Sequence, residues 1–242
     1  MKKFKYFLLS ALFVSVGVFA QEQEKPDRKP GHVNINKFRQ LYDEFATPNM
    51  FRTGSGAPGS AYYQQQADYK MDIELNDDKA ILSGFETITY TNNSPDQLKF
   101  LWVQLDQNMR AKDSKTPLIE SSGTQKLQPA SSFSKSYMEE TFDGGFNIQQ
   151  VSDVSGKPLP HMINGTMMRV ELPKPMKTGD KFSFQIKWWY NINNHVKDGG
   201  RSGFEYFPDT DNRIYVMAQF YPRMAVYNDV EGWQNSQFFG RD

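Results

Sequence analysis

From Ala61 onward, polar and apolar residues alternate with a period of two. In Ala67–Leu75 (ADYKMDIEL), Tyr69, Met71, Ile73 and Leu75 fall on one face and Asp68, Lys70, Asp72 and Glu74 on the other, which predicts a half-buried strand. Asn76-Asp77-Asp78 supplies a turn, and Lys79–Thr91 (KAILSGFETITYT) predicts a longer returning strand with a bulge at Gly84. After a second turn at Asn92–Asp96 comes Leu98–Leu105 (LKFLWVQL), whose denser apolar content predicts burial on both faces. Further strands are expected over Gly145–Val154, Met167–Leu172, Lys181–Asn191 and Arg213–Phe220, with residues 173–180 (PKPMKTGD) as a turn. Short strands, turn signals and almost no helical period predict a mainly β protein, an antiparallel β-sandwich. No fixed-period repeat is visible, which argues against a propeller or solenoid.

The segment before Ala61 follows other patterns. Lys2, Lys3 and Lys5 precede an apolar run, Tyr6–Ala20, which ends Val18-Phe19-Ala20 before Gln21. Residues 1–20 therefore read as a signal peptide, too short in its apolar part for the ~20 residues of a spanning helix. No Cys follows the cleavage point, so a lipoprotein anchor is excluded. The protein is expected to be exported, periplasmic or extracellular, with no transmembrane segment after cleavage. Residues 21–33 are charged and Pro-containing, the composition of a disordered leader. Asn34–Phe45 places Ile35, Phe38, Leu41, Tyr42 and Phe45 at helical spacing before Pro48, and Arg52–Ser60 (RTGSGAPGS) reads as a linker. Residues 34–60 are thus a short helix and linker, and residues 61–242 the β domain. Within that domain, Asp106–Phe142 is polar and Ser-rich, and is expected to form one or two short helical turns and a surface excursion.

Composition narrows the chemistry. With 19 Phe, 12 Tyr and 4 Trp the chain can bury a sizeable core. Its 28 basic and 28 acidic residues leave no cationic excess for phosphates, so nucleic acid is not an expected partner. Cys is absent, which removes disulfides, thiolate nucleophiles and Cys-based zinc sites. The three His, His32, His161 and His195, are dispersed; none lies in HExxH or within five residues of another, so no local zinc pair can form. There is no G-x-S-x-G elbow, phosphate loop or GxGxxG. Asp77-Asp78 fits a hairpin turn better than a Ca²⁺ loop. Asn92-Asn93-Ser94 and Asn164-Gly165-Thr166 match glycosylation sequons, a pattern common by chance. On a strand, Trp188-Trp189-Tyr190 must send consecutive rings to opposite faces, so at least one Trp belongs to the core, and an outward one could serve as a sugar platform. Gln219, near the end of an expected strand, reads either as a binding residue or as a hydrogen-bonded edge residue.

Three stretches together resemble a known family. They are Tyr62–Tyr69 (YYQQQADY), Leu82–Asn108 with its ITYTNNSPD and LWVQLDQN runs, and Ala218–Asp229 (AQFYPRMAVYND) followed by Gly232-Trp233. They resemble the start of secreted bacterial zinc metallopeptidases of the aminopeptidase N type, most nearly the Bacteroidetes branch. The resemblance implies a saddle-like N-terminal β-sandwich that shapes the cleft of a following zinc catalytic domain. That catalytic domain would carry HExxH, a further Glu ligand, a catalytic Tyr and a Gly-x-Met-Glu-Asn loop, and this sequence contains none of them. It implies an incomplete domain, a fragment or truncated frame ending at Asp242, with zinc only in the full-length parent and none bound by this chain. Its partners would be the catalytic domain and peptide N-termini. For substrate binding, the family uses Gln followed two residues later by Gln or Glu, facing the substrate's free amine. Gln219 matches the first position; Tyr221 stands at the second, a departure that removes the stronger acceptor. The resemblance assigns no catalytic and no metal residue to this chain. Two readings of other classes compete: a stand-alone secreted β-sandwich module binding a glycan or protein, and a purely structural interaction domain.

The signal pattern makes Gln21 the expected mature N-terminus. N-terminal sequencing of exported material checks this, and Met1 retained in a membrane fraction would contradict it.

Overall fold

Among the described residues, alternating burial builds twelve strands. In chain order they begin with β1 (Gln66–Asn76), β2 (Ile81–Thr91) and β3 (Leu98–Gln104), followed by a 3-10 helix (Asp106–Arg110). Next come β4 (Asn147–Asp153), β5 (His161–Asn164), β6 (Met167–Met176), β7 (Lys181–Asn191) and a one-turn helix α1 (His195–Asp198). The chain closes with β8 (Gly203–Phe207), β9 (Asn212–Val216), and the two-residue strands β10 (Arg223–Met224), β11 (Tyr227–Asn228) and β12 (Gly232–Trp233). The structure is a computed structural model describing residues 48–116 and 142–240, with residues 129, 130, 134 and 138 between them. The expected signal peptide, leader and Asn34–Phe45 helix lie outside the described residues, as does most of the expected surface excursion.

Two four-stranded antiparallel sheets, ordered β1-β2-β7-β4 and β10-β3-β6-β5, face each other across one core. Leu82, Ile88 and Tyr90 of β2 with Phe184, Ile186, Trp188 and Tyr190 of β7 point inward from the first sheet. Leu101 and Val103 of β3 with Met168 and Val170 of β6 meet them from the second. The fold class expected from alternation is the one observed. Two small hairpins, β8–β9 and β11–β12, complete the described residues.

Several local expectations need correction. Gly84 makes no bulge: it pairs in register with Ile73 and Trp188, and a Cβ there would overlap the Trp188 indole. The glycine is needed because a ring lies across the strand, not because the strand bends. Residues 173–176 belong to β6 rather than to a turn. Leu98 faces Met176 while Phe100 faces Glu171, so residues 172–175 leave the register opposite Lys99. Pro173 and Pro175 lack N–H donors, and they sit where the ladder is already broken. The turn shrinks to Lys177–Asp180, closed by Asp180 N donating to Lys177 O (3.0 Å) and Lys177 N to Asp180 Oδ2 (2.8 Å). In β3, Leu98, Leu101 and Val103 are buried, but Phe100 and Trp102 are only half-buried, with the Arg169 guanidinium 4.1 Å from the Phe100 ring centre. On β1, Tyr69 and Met71 are half-buried whereas Ile73 and Leu75 are exposed. β1 is an edge strand, which the second sheet meets through Met224 N donating to the Tyr69 hydroxyl (2.8 Å).

The Gly/Pro/Ser stretch before β1 joins neither sheet, yet it is pinned to the body. Gly59 N donates to Phe51 O (2.7 Å), Phe51 is buried, and Arg52 Nε reaches Asp229 Oδ2 at 2.8 Å. Asp77, read as a turn residue, also fastens the β8–β9 hairpin: it accepts from Arg213 Nη1 (3.0 Å) and the Tyr215 hydroxyl (2.6 Å). Asn92 of the first sequon is fully buried. Its amide donates to Asp96 O (2.7 Å) and Met176 O (3.2 Å), so it organises the turn and offers no glycan acceptor. Asn164, of the second, is exposed on β5.

Glu86 breaks the inward apolar pattern. It points into the core between Met71 and Ile186, is fully buried, and neither carboxylate oxygen has a partner. Desolvation pushes its carboxyl up from its ordinary 4.5 to about 9. The folded state therefore holds a proton that the unfolded chain releases between pH 4.5 and about 9, and stability falls as pH rises through that window. By pH 7 this amounts to about 3 kcal/mol, at roughly 1.4 kcal/mol per pH unit. Glu86→Gln, which cannot ionise, is expected to gain relative stability from acid to neutral pH. Urea denaturation of both proteins at pH 4.5 and pH 8 checks it; parallel pH profiles would contradict the assignment.

Candidate functional site

The 3-10 helix after β3 begins with three polar residues, Asp106-Gln107-Asn108, and each side chain ties down a different part of the molecule. Gln107 Nε2 donates to the carbonyls of Ala218 (3.0 Å) and Gln219 (3.1 Å), while its Oε1 accepts from Arg110 Nη1 (3.2 Å). Asp106 is buried and accepts from Arg223 Nε at 2.7 Å through Oδ2. Asn108 accepts from Phe146 N (2.8 Å) and donates to Gly165 O (2.8 Å). Sequence reading included these residues in the run that carries the family resemblance but gave them no role. Their signal was three consecutive polar residues directly after an apolar strand.

Held by this turn is the loop that carries Gln219 and Tyr221. β9 ends at Val216, so the strand expected to run through Phe220 is cut short and Gln219 lies in a loop beyond it. The cause is local. Gln219 has φ +50°, a left-handed conformation that a ladder cannot continue, and the carbonyls of residues 218 and 219 bond to Gln107 instead of a strand. Ala218 N donates to Ser202 Oγ (3.0 Å), which fixes the loop from its other side.

The half-buried Gln219 side chain meets a cation, with its Oε1 accepting from Arg201 Nη2 at 3.3 Å. Arg110 sits nearby against Gly200, where a Cβ would come 3.1 Å from its Nη2. Burial pulls the Arg110 guanidinium below its usual value, opposed by the charges of Tyr190 and Asp198. A free ammonium needs acceptors, and at the Gln219 oxygen it would meet the like charge of Arg201. Tyr221 turns towards the sheets: its ring packs edge-on to Tyr69 (5.4 Å) and Phe220 (5.0 Å). The structure thus places Gln219 and Tyr221 in one loop, Gln219 against Arg201 and Tyr221 against the aromatic wall of β1.

Other residues singled out by sequence lie apart. His161 opens β5, with Nδ1 3.0 Å from Leu159 O, and His195 opens α1. Among the described residues no group of three or more His, Asp or Glu could hold a metal ion, so the donor set does not fit zinc. Trp188 is buried in the core, edge-on to Phe146 at 5.4 Å, and cannot touch a glycan. Trp189 faces outward between Ser83 and Asn147 and is half-buried.

Replacing Gln107 by Glu keeps the contact with Arg110 but sets a carboxylate against two carbonyl oxygens. Gln107→Glu is expected to lower the local opening free energy of the Gln219 loop by about 1–3 kcal/mol. Faster amide exchange at residues 218–221, with little change elsewhere, is the readout.

No family model matches this sequence, and no curated protein matches it. Solved structures similar to it include an M1 zinc metallopeptidase from Deinococcus radiodurans, 12% identical, with a TM-score of 0.33, covering 57% of this chain and 22% of that one. A two-domain M1 zinc metallopeptidase mutant bound to L-tryptophan is 13% identical, with a TM-score of 0.35, covering 62% of this chain and 26% of that one. Another two-domain mutant, bound to L-arginine, is 11% identical, with a TM-score of 0.33, covering 54% of this chain and 21% of that one. This chain therefore spans about a fifth to a quarter of the length of these structures.

Proposed function

We propose that this chain is the non-catalytic N-terminal module of an exported zinc aminopeptidase of the aminopeptidase N type, most nearly its Bacteroidetes branch. One observation carries the reading: the three stretches with the family's sequence, far apart in the chain, meet at one corner of the fold. Gln107 binds the Ala218 and Gln219 carbonyls, Asp106 pairs with Arg223, Tyr69 accepts from Met224 N, and Tyr90 packs on Trp233 at 5.9 Å. Residues of one family pattern that also form one contact network are what a shared cleft wall would require.

In the whole enzyme a zinc-bearing domain would supply Lewis-acid activation of water and carbonyl. This module's part would be positional. The Gln107-anchored loop would present the Gln219 amide to the first residue of the peptide. Tyr221, held edge-on by Tyr69, would keep its hydroxyl at the second acceptor position. Export follows from the expected signal peptide, and cleavage of peptide N-termini from the resemblance.

Reading the coding sequence beyond the Asp242 codon tests the proposal, and an HExxH further on is the expected result. In that full-length enzyme, Gln219→Ala is expected to lower kcat/KM about ten- to a hundredfold, the loss of a hydrogen bond to a charged group. Its Tm should hardly change. A comparable loss in Tyr221→Phe would give the phenol the second acceptor's role. Unfolding by Gln219→Ala, with full activity in the folded fraction, would make Gln219 structural and overturn its part.

A further inference from the structure

A concave site includes Tyr69 but not Tyr221 in its lining. It is a cavity of about 390 Å³ between the extended segment entering β1 and the one joining β10 to β11, within the ~300–1,000 Å³ typical of small-molecule sites. Five of the chain's 12 tyrosines line it: Tyr62, Tyr63, Tyr69, Tyr90 and Tyr227. The adjoining rim carries three consecutive amides, Gln64, Gln65 and Gln66.

Charge is nearly absent from this wall. Among the described residues Arg52 is the one ionic side chain lining it, and it is paired: its Nε lies 2.9 and 2.8 Å from the two Asp229 oxygens, and its guanidinium stands 5.3 Å from the Tyr62 ring centre. The phenols divide into two sets. The Tyr62 hydroxyl accepts from Gln64 Nε2 (3.1 Å), Tyr69 from Met224 N (2.8 Å), and the Tyr227 hydroxyl donates to Asp96 Oδ2 (2.8 Å). Tyr63 and Tyr90 have buried hydroxyls with no partner, and Tyr90 is only 2% exposed. Both hydroxyls are closed off from solvent and therefore from the open space of the cavity, so Tyr63 and Tyr90 line it with the rest of their side chains, and Tyr62, Gln64 and Gln66 supply its accessible polar groups. Gln64 and Gln66 each donate through Nε2, to Tyr62 and to Asp68, which leaves their amide oxygens as acceptors.

We infer that this cavity binds a neutral sugar, one or two residues of an uncharged glycan. Sugar hydroxyls both donate and accept, as phenols and amides require, and the apolar face of a pyranose ring stacks on aromatic rings. Among the described residues lining it, an anionic ligand finds no unpaired cation and a cationic one no carboxylate. The inference stands apart from the peptidase reading, because it uses neither Gln219 nor Tyr221.

The test is calorimetric titration of the purified chain with cellobiose, maltose, xylobiose and N,N′-diacetylchitobiose, and separately with N-acetyl-trialanine amide, an uncharged peptide. Saturable binding of at least one disaccharide is expected, weakened about three- to tenfold in Tyr62→Phe and Gln64→Ala. Neither variant should lower the Tm appreciably, since each removes a half-buried or exposed polar group at the rim. If either fails to fold, Gln66→Ala at the exposed rim takes its place, with the same expected weakening. Failure of all four disaccharides to bind, binding unchanged in these variants, or binding of the blocked peptide alone would each overturn the inference. The peptide result would make the cavity a peptide groove. Loss of peptidase activity in Gln219→Ala would leave it untouched.

Discussion

Backbone polar groups that leave a β-sheet must find partners elsewhere, and in this molecule Gln107 and Asn108 provide them, beside an ion pair made by Asp106. Asp106, Gln107 and Asn108 follow a strand buried in the core, so their positions are set by the sandwich and not by their own flexibility. From there Gln107 satisfies two loop carbonyls, Asp106 neutralises Arg223, and Asn108 bridges Phe146 N and Gly165 O. The left-handed conformation of Gln219 persists because those bonds over-determine the loop. Whatever the Gln219 loop does, it does from a rigid mount.

Packing within the first sheet is equally tight. Trp188 lies over Gly84 and packs among Phe146 and Tyr190, with ring centres 5.4 and 6.0 Å away. A glycine on one strand and a tryptophan on its neighbour form a single packing unit, since a methyl group at residue 84 has nowhere to go. The prolines of β6 are accommodated by the same logic in reverse. They sit where Leu98 and Phe100 skip register, so the missing donors cost the ladder nothing.

Charge is handled in two different ways within this one fold. Asp106 and Arg223 form a pair with the carboxylate buried and the guanidinium partly solvated, a geometry that limits desolvation of the cation. Arg52 and Asp229 close the loop before β1 in the same manner. Glu86 has no such partner and stays protonated near neutral pH, its carboxyl pushed up to about 9 by burial alone. Both paired sites border the functional candidates, whereas Glu86 stands behind Tyr69, whose own hydroxyl is pushed up to about 12, chiefly by burial.

Period-two alternation by itself determined the antiparallel β class. It located β7 residue for residue and β1 to within one residue at each end, because one buried face leaves a mark on every second position. The same alternation placed at least one of the paired Trp in the core. Tertiary structure decided whatever depends on a neighbour distant in sequence. Alternation cannot tell an edge strand from a central one, so the exposure of Ile73 and Leu75 was illegible until β1 was seen at the sheet's margin. Gly84 carries the same letter whether it bends a strand or makes room for a ring that arrives from residue 188. Gln219 was legible as a polar residue after an aromatic run, but its backbone is set by Gln107, more than a hundred positions earlier, and its amide oxygen by Arg201. The tyrosines of the cavity are scattered from residue 62 to residue 227, and their convergence is a property of the closed sandwich. Local pattern records which face of an element is buried; only packing determines what each buried or half-buried side chain meets there.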